Sequence, residues 1–454
     1  MKRALVIGGG ANGMASAVML AAGGKKVTLL EATAAVGGRC GLLSDTTTIQ
    51  PWAVTELGLD VDWTDAQPTK IVGAQVLRTI LPDDESLQPW RAEVASFREA
   101  IVALSTNRAP DIRQQGAIGT LLPALASGLK LGRARGLELA RIAPLCAEDW
   151  LDEWNIDRAT QSALILPALR GSWMGPRSPT SALAVLVHHA LSGAEIEGGM
   201  PALVAALQKR SDGAGVTIRT DARVSKIQLT NGHVSGVELD DGSVIDAELV
   251  VSTVGPRRTL MELVDPRDLP TAVEQAIRSY RSRGIVAHMS CTLHPEAFRG
   301  ASHVVVADDT TMLERAFDDA KHRRLPKRPA LEIFRSQGRA QILIYGAPYD
   351  LEGGWTDIAR VQLQNTVLAV LGEHIEAGWV EDIVLRTPHD LESDAGLEGG
   401  HLFHGEFALD QFLSFRPHPS MSNHESGIAG LRLGGCGTHP AGGFTLVQGV
   451  LAGR

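Results

Sequence analysis

The chain has 454 residues, 44% of them hydrophobic and 21% charged, with a formal net charge of −9. That length suits about two to three domains, and the acidic balance argues against a nucleic-acid partner, which calls for a basic excess. Glycine, at 48 residues, exceeds its usual share of roughly 7%, so tight turns or close backbone–ligand approaches are expected.

The four cysteines, Cys40, Cys146, Cys291 and Cys436, form no C-x-x-C pair. This disfavours a local zinc knuckle or redox dithiol and fits a reducing cytoplasm. The opening "MKRALVIGGG" lacks the apolar core of a signal peptide and predicts a strand. No run of about 18 apolar residues predicts a membrane-crossing helix.

In chain order, "ALVI" (Ala4–Ile7) predicts a buried parallel strand that runs into Gly8-x-Gly10-x-x-Gly13. A helical pattern follows, then a second apolar run, "VTLL", ending at Glu31. Together these make a complete βαβ dinucleotide fingerprint. Gly8 permits the tight turn, and Gly10 lets the backbone approach a pyrophosphate. The helix N-terminus offers that pyrophosphate free N–H groups. Glu31 can accept hydrogen bonds from ribose hydroxyls. Gly37, Gly38 and Arg39 come shortly after, where an arginine can reach the phosphates from the opposite side.

Residues 61–195 read as mostly helical. Within them, residues 113–141 are Leu-rich and carry Arg113, Lys130, Arg133, Arg135 and Arg141. Such a stretch suits either peripheral membrane contact or a core-packing helix pair with a solvated basic face. Residues 200–255 predict a short helix and a β-meander with hairpin turns at Asn231-Gly232 and Asp241-Gly242. A buried strand, "AELVVST", follows. Residues 266–395 mix helix with strands such as "RGIVAHMSCTL" and "AQILIYGAP".

The E-x5-G-G-R spacing resembles FAD enzymes of the glutathione-reductase-like class, in the amine oxidase and phytoene desaturase branch. Segments 144–191, 198–200, 250–260, 396–417 and 430–444 resemble, in the same order, flavoproteins of the phytoene dehydrogenase and carotenoid desaturase type. The last two segments look most like the subgroup named for a pyridine nucleotide-disulfide oxidoreductase domain. The resemblance implies an α/β fold: a Rossmann-type FAD-binding domain (1–60, 196–265 and 396–454) with an inserted β-meander. An interwoven α+β substrate domain (61–195 and 266–395) completes it.

It also implies non-covalent FAD and hydride transfer from a hydrophobic or conjugated small molecule to flavin N5. A redox-neutral isomerase and a flavin amine oxidase are the alternatives, and the electron acceptor, O2 or a quinone, stays open. The expected cofactor contacts are Gly8, Gly10, Ala11, Asn12, Gly13, Glu31, Ala32, Gly38, Arg39 and Val224. Gly435 joins them from "LRLGG", and Gly442, Gly443 and Phe444 from the late turn "GTHPAGGF", which is expected to lead into a final helix aimed at the flavin. Within "GGHLFHGEFALDQF" the catalytic candidates are His404, Glu406 and His401, because a histidine titrates near neutrality. The alternative is that these residues shape the cavity wall. His439 stands equally as a flavin contact or a turn residue. No metal site is expected, since His-x-x-His with Glu lacks the HExxH spacing.

Overall fold

The computed structural model describes residues 3–42, 45–73, 76–81, 83–109, 132–336, 338–441 and 443–454. The apolar run at the start forms strand β1 (Arg3–Ile7) and "KVTLL" forms β2 (Lys26–Leu30). The helix Ala11–Ala22 lies between them. Strands with so little polar character have no face to give to solvent, so they sit at the centre of a parallel sheet. That sheet has the order β17 (Leu431–Leu433), β11 (Leu249–Ser252), β1, β2 and β7 (Thr217–Arg219). This is the Rossmann-type architecture expected from the fingerprint.

The meander is β8 (Val224–Thr230), β9 (His233–Leu239) and β10 (Val244–Asp246), a separate antiparallel sheet. Asn231 and Gly232 both have positive φ at its first turn, as a two-residue hairpin requires.

The second large sheet is mixed and has seven strands. Its order is β16 (Val380–Arg386), β12 (Val286–Leu293), β15 (Arg339–Tyr345), β14 (Leu331–Ser336), β13 (His303–Val306), β4 (Thr69–Gly73) and β5 (Val76–Ile80). A two-stranded ribbon pairs β3 (Trp63–Thr64) with β6 (Glu195–Ile196). The helical reading of residues 61–195 therefore needs correction at 63–80. Strand β4 pairs in parallel with β13, and the Lys70 ammonium is buried against the Phe298 carbonyl at 2.8 Å. A partner more than two hundred residues away decides that segment, not its local pattern.

One face of the seven-stranded sheet packs Ala287, Met289 and Cys291 into an apolar core with Leu363 and Val367 of the helix Asp357–Gly372. The other face carries the alternate residues and turns toward the nucleotide turn.

The basic stretch at 113–141 lies largely outside the described residues. Its described end is helical over 132–142. There Arg135 pairs with Glu93 at 2.6 Å, and Arg141 pairs with Glu138 and Glu153. Among the described residues no helix is long and apolar enough to cross a membrane.

Candidate functional site

The first turn is built by three glycines with different physical duties. Gly8 has φ +99°, and a Cβ there would lie 2.8 Å from Thr253 Oγ1. A Cβ on Gly13 would lie 1.8 Å from the Gly8 carbonyl oxygen. On Gly10 it would meet nothing within 4 Å, because that position opens onto a cavity. The Glu31 carboxylate closes the turn from behind. Its Oε2 accepts from Gly9 N at 2.7 Å, and its Oε1 accepts from Thr33 N and Oγ1 at 2.8 Å each. The second glycine pair packs on the first: Gly37 N donates to Gly9 O at 2.9 Å.

The cavity measures about 540 Å³. Gly8, Gly10, Ala11, Asn12, Gly13, Glu31, Ala32, Gly38, Val224 and Phe444 all line it, together with His404 and Cys436. Its far wall was not anticipated. It comes from the seven-stranded sheet: His288 and Ser290 of β12, Arg339 and Gln341 of β15, and Arg386 of β16. The available signal was the alternation of His288, Ser290 and Thr292 within an otherwise apolar strand.

A smaller chamber adjoins this cavity and shares Cys436 and Phe444 with it. Gly443, Ala441, Phe403 and Phe407 line it, with Asp45, Arg170, His188 and Arg416 among them. Gly435 lines neither space, since a Cβ there would lie 2.4 Å from the Thr253 carbonyl oxygen. Its need for glycine is backbone packing against the end of β11. Gly442 lies outside the described residues.

Asn12 ties the two distant glycine turns together. Its Nδ2 donates to Cys436 Sγ at 3.0 Å, and its Oδ1 accepts from Gly449 N at 3.2 Å. Gly449 belongs to the last helix, Val447–Gly453, which lies directly on the helix Ala11–Ala22. A Cβ on Gly449 would reach within 2.3 Å of the Asn12 carbonyl oxygen.

The loop 401–411 presents one of its three candidates to the cavity. His404 is half-buried, has φ +53° and lines the wall. His401 and Glu406 line neither space, which corrects their expected placement. His401 Nδ1 accepts from Phe403 N at 3.0 Å and Gly405 N at 3.2 Å, so the ring braces the loop. Glu406 is buried, and Arg283 grips both its oxygens at 2.7 and 2.9 Å. Serving as a base would require it to leave that guanidinium.

Arg416, fully buried, donates to the carbonyls of Phe403, Gly405, Glu406, Gln411 and Cys436. The Tyr280 hydroxyl bonds the carbonyls of His404 and Gly437. These two side chains staple the His404 loop to the late glycine turn. His439 is buried, lines neither space and contacts the Asn107 carbonyl through Nε2 at 2.8 Å. Burial pushes its imidazole down to about 4. Among the described residues no group of His, Cys, Asp and Glu could hold a metal ion.

Two stability effects arise here. Ala441 sits at φ +79°, where a Cβ costs about 1–2 kcal/mol, so Ala441→Gly is expected to stabilise the protein by about 1 kcal/mol net of glycine's entropy. A thermal melt of the FAD-loaded variant checks it. Glu398 is buried, and burial pushes its carboxyl up to about 7, against the opposing Arg258 N–H bond. The folded chain thus binds this proton up to about pH 7, whereas an unfolded glutamate releases it near about 4.3. Stability contributed by the protonated form is therefore lost as pH rises through that window. Glu398→Gln is expected to flatten this slope and to gain about 2 kcal/mol at pH 8, read from urea unfolding at pH 5 and pH 8.

This architecture fits FAD. An open glycine at a helix N-terminus suits a pyrophosphate, and a buried carboxylate stands behind the same turn. The cavity extends from Val224 to Phe444, long enough to reach from the meander to the late turn. Residues 3–341 match the family described as DAO, FAD dependent oxidoreductase. The chain is 30% identical over 370 residues to the Rattus norvegicus protein named "Pyridine nucleotide-disulfide oxidoreductase domain-containing protein 2". The Mus musculus protein of that name is 28% identical over the same length. Each alignment covers 72% of this chain but 63% of the relative, so the chain spans less than two thirds of those curated relatives.

Solved structures of similar fold include an oxidoreductase from Methanosarcina mazei, with 16% identity, a TM-score of 0.58, and coverage of 99% of this chain and 98% of that one. A triple mutant of putrescine oxidase has 15% identity, a TM-score of 0.58, and coverage of 100% and 97%. At these identities the likeness speaks for the fold alone. The chain belongs to the family of FAD-dependent oxidoreductases.

Proposed function

We propose that the protein dehydrogenates a hydrophobic or conjugated small molecule, in the manner of a desaturase. The observation that carries this reading is the apolar surface that borders the cofactor cavity around a small chamber of about 40 Å³. Phe403, Phe407 and Phe444 form its walls with Ala168, Ala184 and Ala441, and no Tyr or Trp is among its described lining residues. The charged Asp45 and Arg170 that border it are paired with each other at 2.8 Å, so the chamber offers little to a free amine.

FAD, when bound, supplies the acceptor for a hydride at N5. The chain's own part is positioning and proton handling. Phe403 and Phe407 present apolar surface beside the cofactor cavity, where an apolar substrate would lie. His404, held by the Tyr280 and Arg416 staples, takes the substrate proton. His401 and Glu406 fix the loop that carries it. The domain division given above, FAD-binding at 1–60, 196–265 and 396–454, belongs to the same reading.

The test is anaerobic incubation of the FAD-loaded protein with apolar alkenes and with amines, watching flavin bleaching near about 450 nm, the oxidised flavin band. Bleaching by the apolar compounds supports the reading, and bleaching by amines alone overturns it. Product without net bleaching identifies a redox-neutral isomerase instead. Readmitting O2 or a quinone then shows which reoxidises the flavin. His404→Gln is expected to slow bleaching at least tenfold, roughly the lower range for losing a general base, with FAD content unchanged.

A further inference from the structure

The far wall of the cavity carries charge that the apolar reading does not use. In the sheet register His288 of β12 lies directly opposite Arg386 of β16, and Ser290 opposite Gln341 of β15. His288 is 1% exposed. Its Nε2 meets Gln341 Oε1 at 2.6 Å, while its Nδ1 has no hydrogen-bond partner among the described residues. Arg386 and Arg339, which line the same wall, have no carboxylate within 4 Å among the described residues. Asp394 also lines the cavity, with its Oδ1 taken by Ser393. A buried imidazole nitrogen without a partner is a costly arrangement for an empty wall, and the partly exposed Arg386 beside it is free to meet an anion.

We propose that the wall formed by His288, Ser290, Gln341 and Arg386 binds the anionic head of the substrate, which is therefore a long-chain carboxylic acid. This rests on the apolar-substrate reading and deepens it. One carboxylate oxygen accepts from the Arg386 guanidinium, and the other shares with His288 Nδ1 a proton taken from solvent. Arg339, two residues from Gln341 on the same face, adds positive charge at the rim.

The register sets the distance between this wall and the chamber. Arg386, His288, Leu343 and Glu332 form one row across four adjacent strands. Glu332 holds Arg170, which borders the phenylalanine chamber. Three strand spacings separate the ends of that row, about 14 Å, so the wall and the chamber lie within the length of an extended acyl chain.

The test titrates the FAD-loaded protein with dodecanoate, dodecanol and dodecylamine, reading the flavin difference spectrum. Dodecanoate is expected to bind at least tenfold more tightly than dodecanol. Arg386→Ala is expected to weaken dodecanoate at least tenfold while leaving dodecanol binding and FAD content as they were, and Arg386→Lys to recover part of the loss. Equal binding of acid and alcohol, or Arg386→Ala without effect on dodecanoate, overturns this proposal and leaves the apolar reading standing. Loss of FAD from Arg386→Ala overturns it too, by making the arginine a cofactor contact. Binding of dodecylamine alone overturns both.

Discussion

Replacing Arg170 with Met is expected to lower the unfolding free energy by about 3–5 kcal/mol, the range for breaking a buried ion pair from one side. The guanidinium is 7% exposed and sits between two buried carboxylates, Asp45 at 2.8 Å and Glu332 at 2.8 Å. Glu332 also receives His303 Nε2 at 3.1 Å, and His303 Nδ1 meets Thr69 Oγ1 at 2.9 Å. Burial alone would raise the Asp45 carboxyl, but the Arg170 charge and the Thr47 hydrogen bonds outweigh it and hold the carboxyl well below its ordinary range.

In the wild type that depressed carboxyl contributes stability above about pH 4 and loses it as acid protonates the native state. In the variant the sign reverses. Asp45, buried without its cation, binds a proton more readily folded than unfolded, so acid recovers stability. Urea unfolding at pH 8 and pH 5 should show the larger deficit at pH 8. A deficit below about 1 kcal/mol, the size of an exposed pair, or one independent of pH, would sink the assignment. Asp45→Asn and Glu332→Gln added to Arg170→Met should restore most of the loss, because a neutral trio leaves no charge buried alone.

The same pairing explains why the sequence was only partly readable here. Asp45, Arg170 and Glu332 lie in three separate parts of the chain, and nothing local marks them as partners. The βαβ turn was legible because strand, glycine spacing, helix and Glu31 fall within one short stretch and each follows from local geometry. The meander was legible because Asn231-Gly232 and Asp241-Gly242 prescribe hairpins on their own.

The far wall of the cavity was not, because His288, Gln341 and Arg386 meet only through the register of three strands from distant segments. Glu406 shows the converse error. In "HGEFALD" it looks like a free acid beside a histidine, yet Arg283 and Arg281, more than a hundred residues earlier, claim its carboxylate. A dense run of ionisable residues signals either chemistry or a loop held by ion pairs, and only the fold separates the two. His404 is distinguished from its neighbours by exposure to the cavity, a property no residue type encodes.

Gly10→Ala and Gly13→Ala are expected to fail in different ways, and the contrast tests the cofactor site itself. At Gly10 the added methyl enters open space at the cavity wall. The protein without cofactor should melt within about 1 °C of wild type, because a surface change away from packing moves stability by no more than about 0.5 kcal/mol. FAD should bind at least tenfold more weakly, since the methyl stands where the pyrophosphate approaches the backbone and its N–H donors. At Gly13 the methyl collides with the Gly8 carbonyl at 1.8 Å, and both atoms belong to or border backbone that the Thr253 and Glu31 contacts hold in place.

Relief at Gly13 requires the helix to move off β1, which also disturbs Asn12 and the last helix resting on it. Overpacking of this kind costs about 1–3 kcal/mol or more, so Gly13→Ala should lower the melting point of the cofactor-free protein as well as abolish FAD retention. Equilibrium dialysis for FAD and melts of the cofactor-free proteins separate the two outcomes. If Gly10→Ala retained FAD at wild-type affinity, the cavity it faces would not be the pyrophosphate site. If Gly13→Ala left the cofactor-free melt unchanged, the contact with Gly8 would be looser than the turn geometry requires.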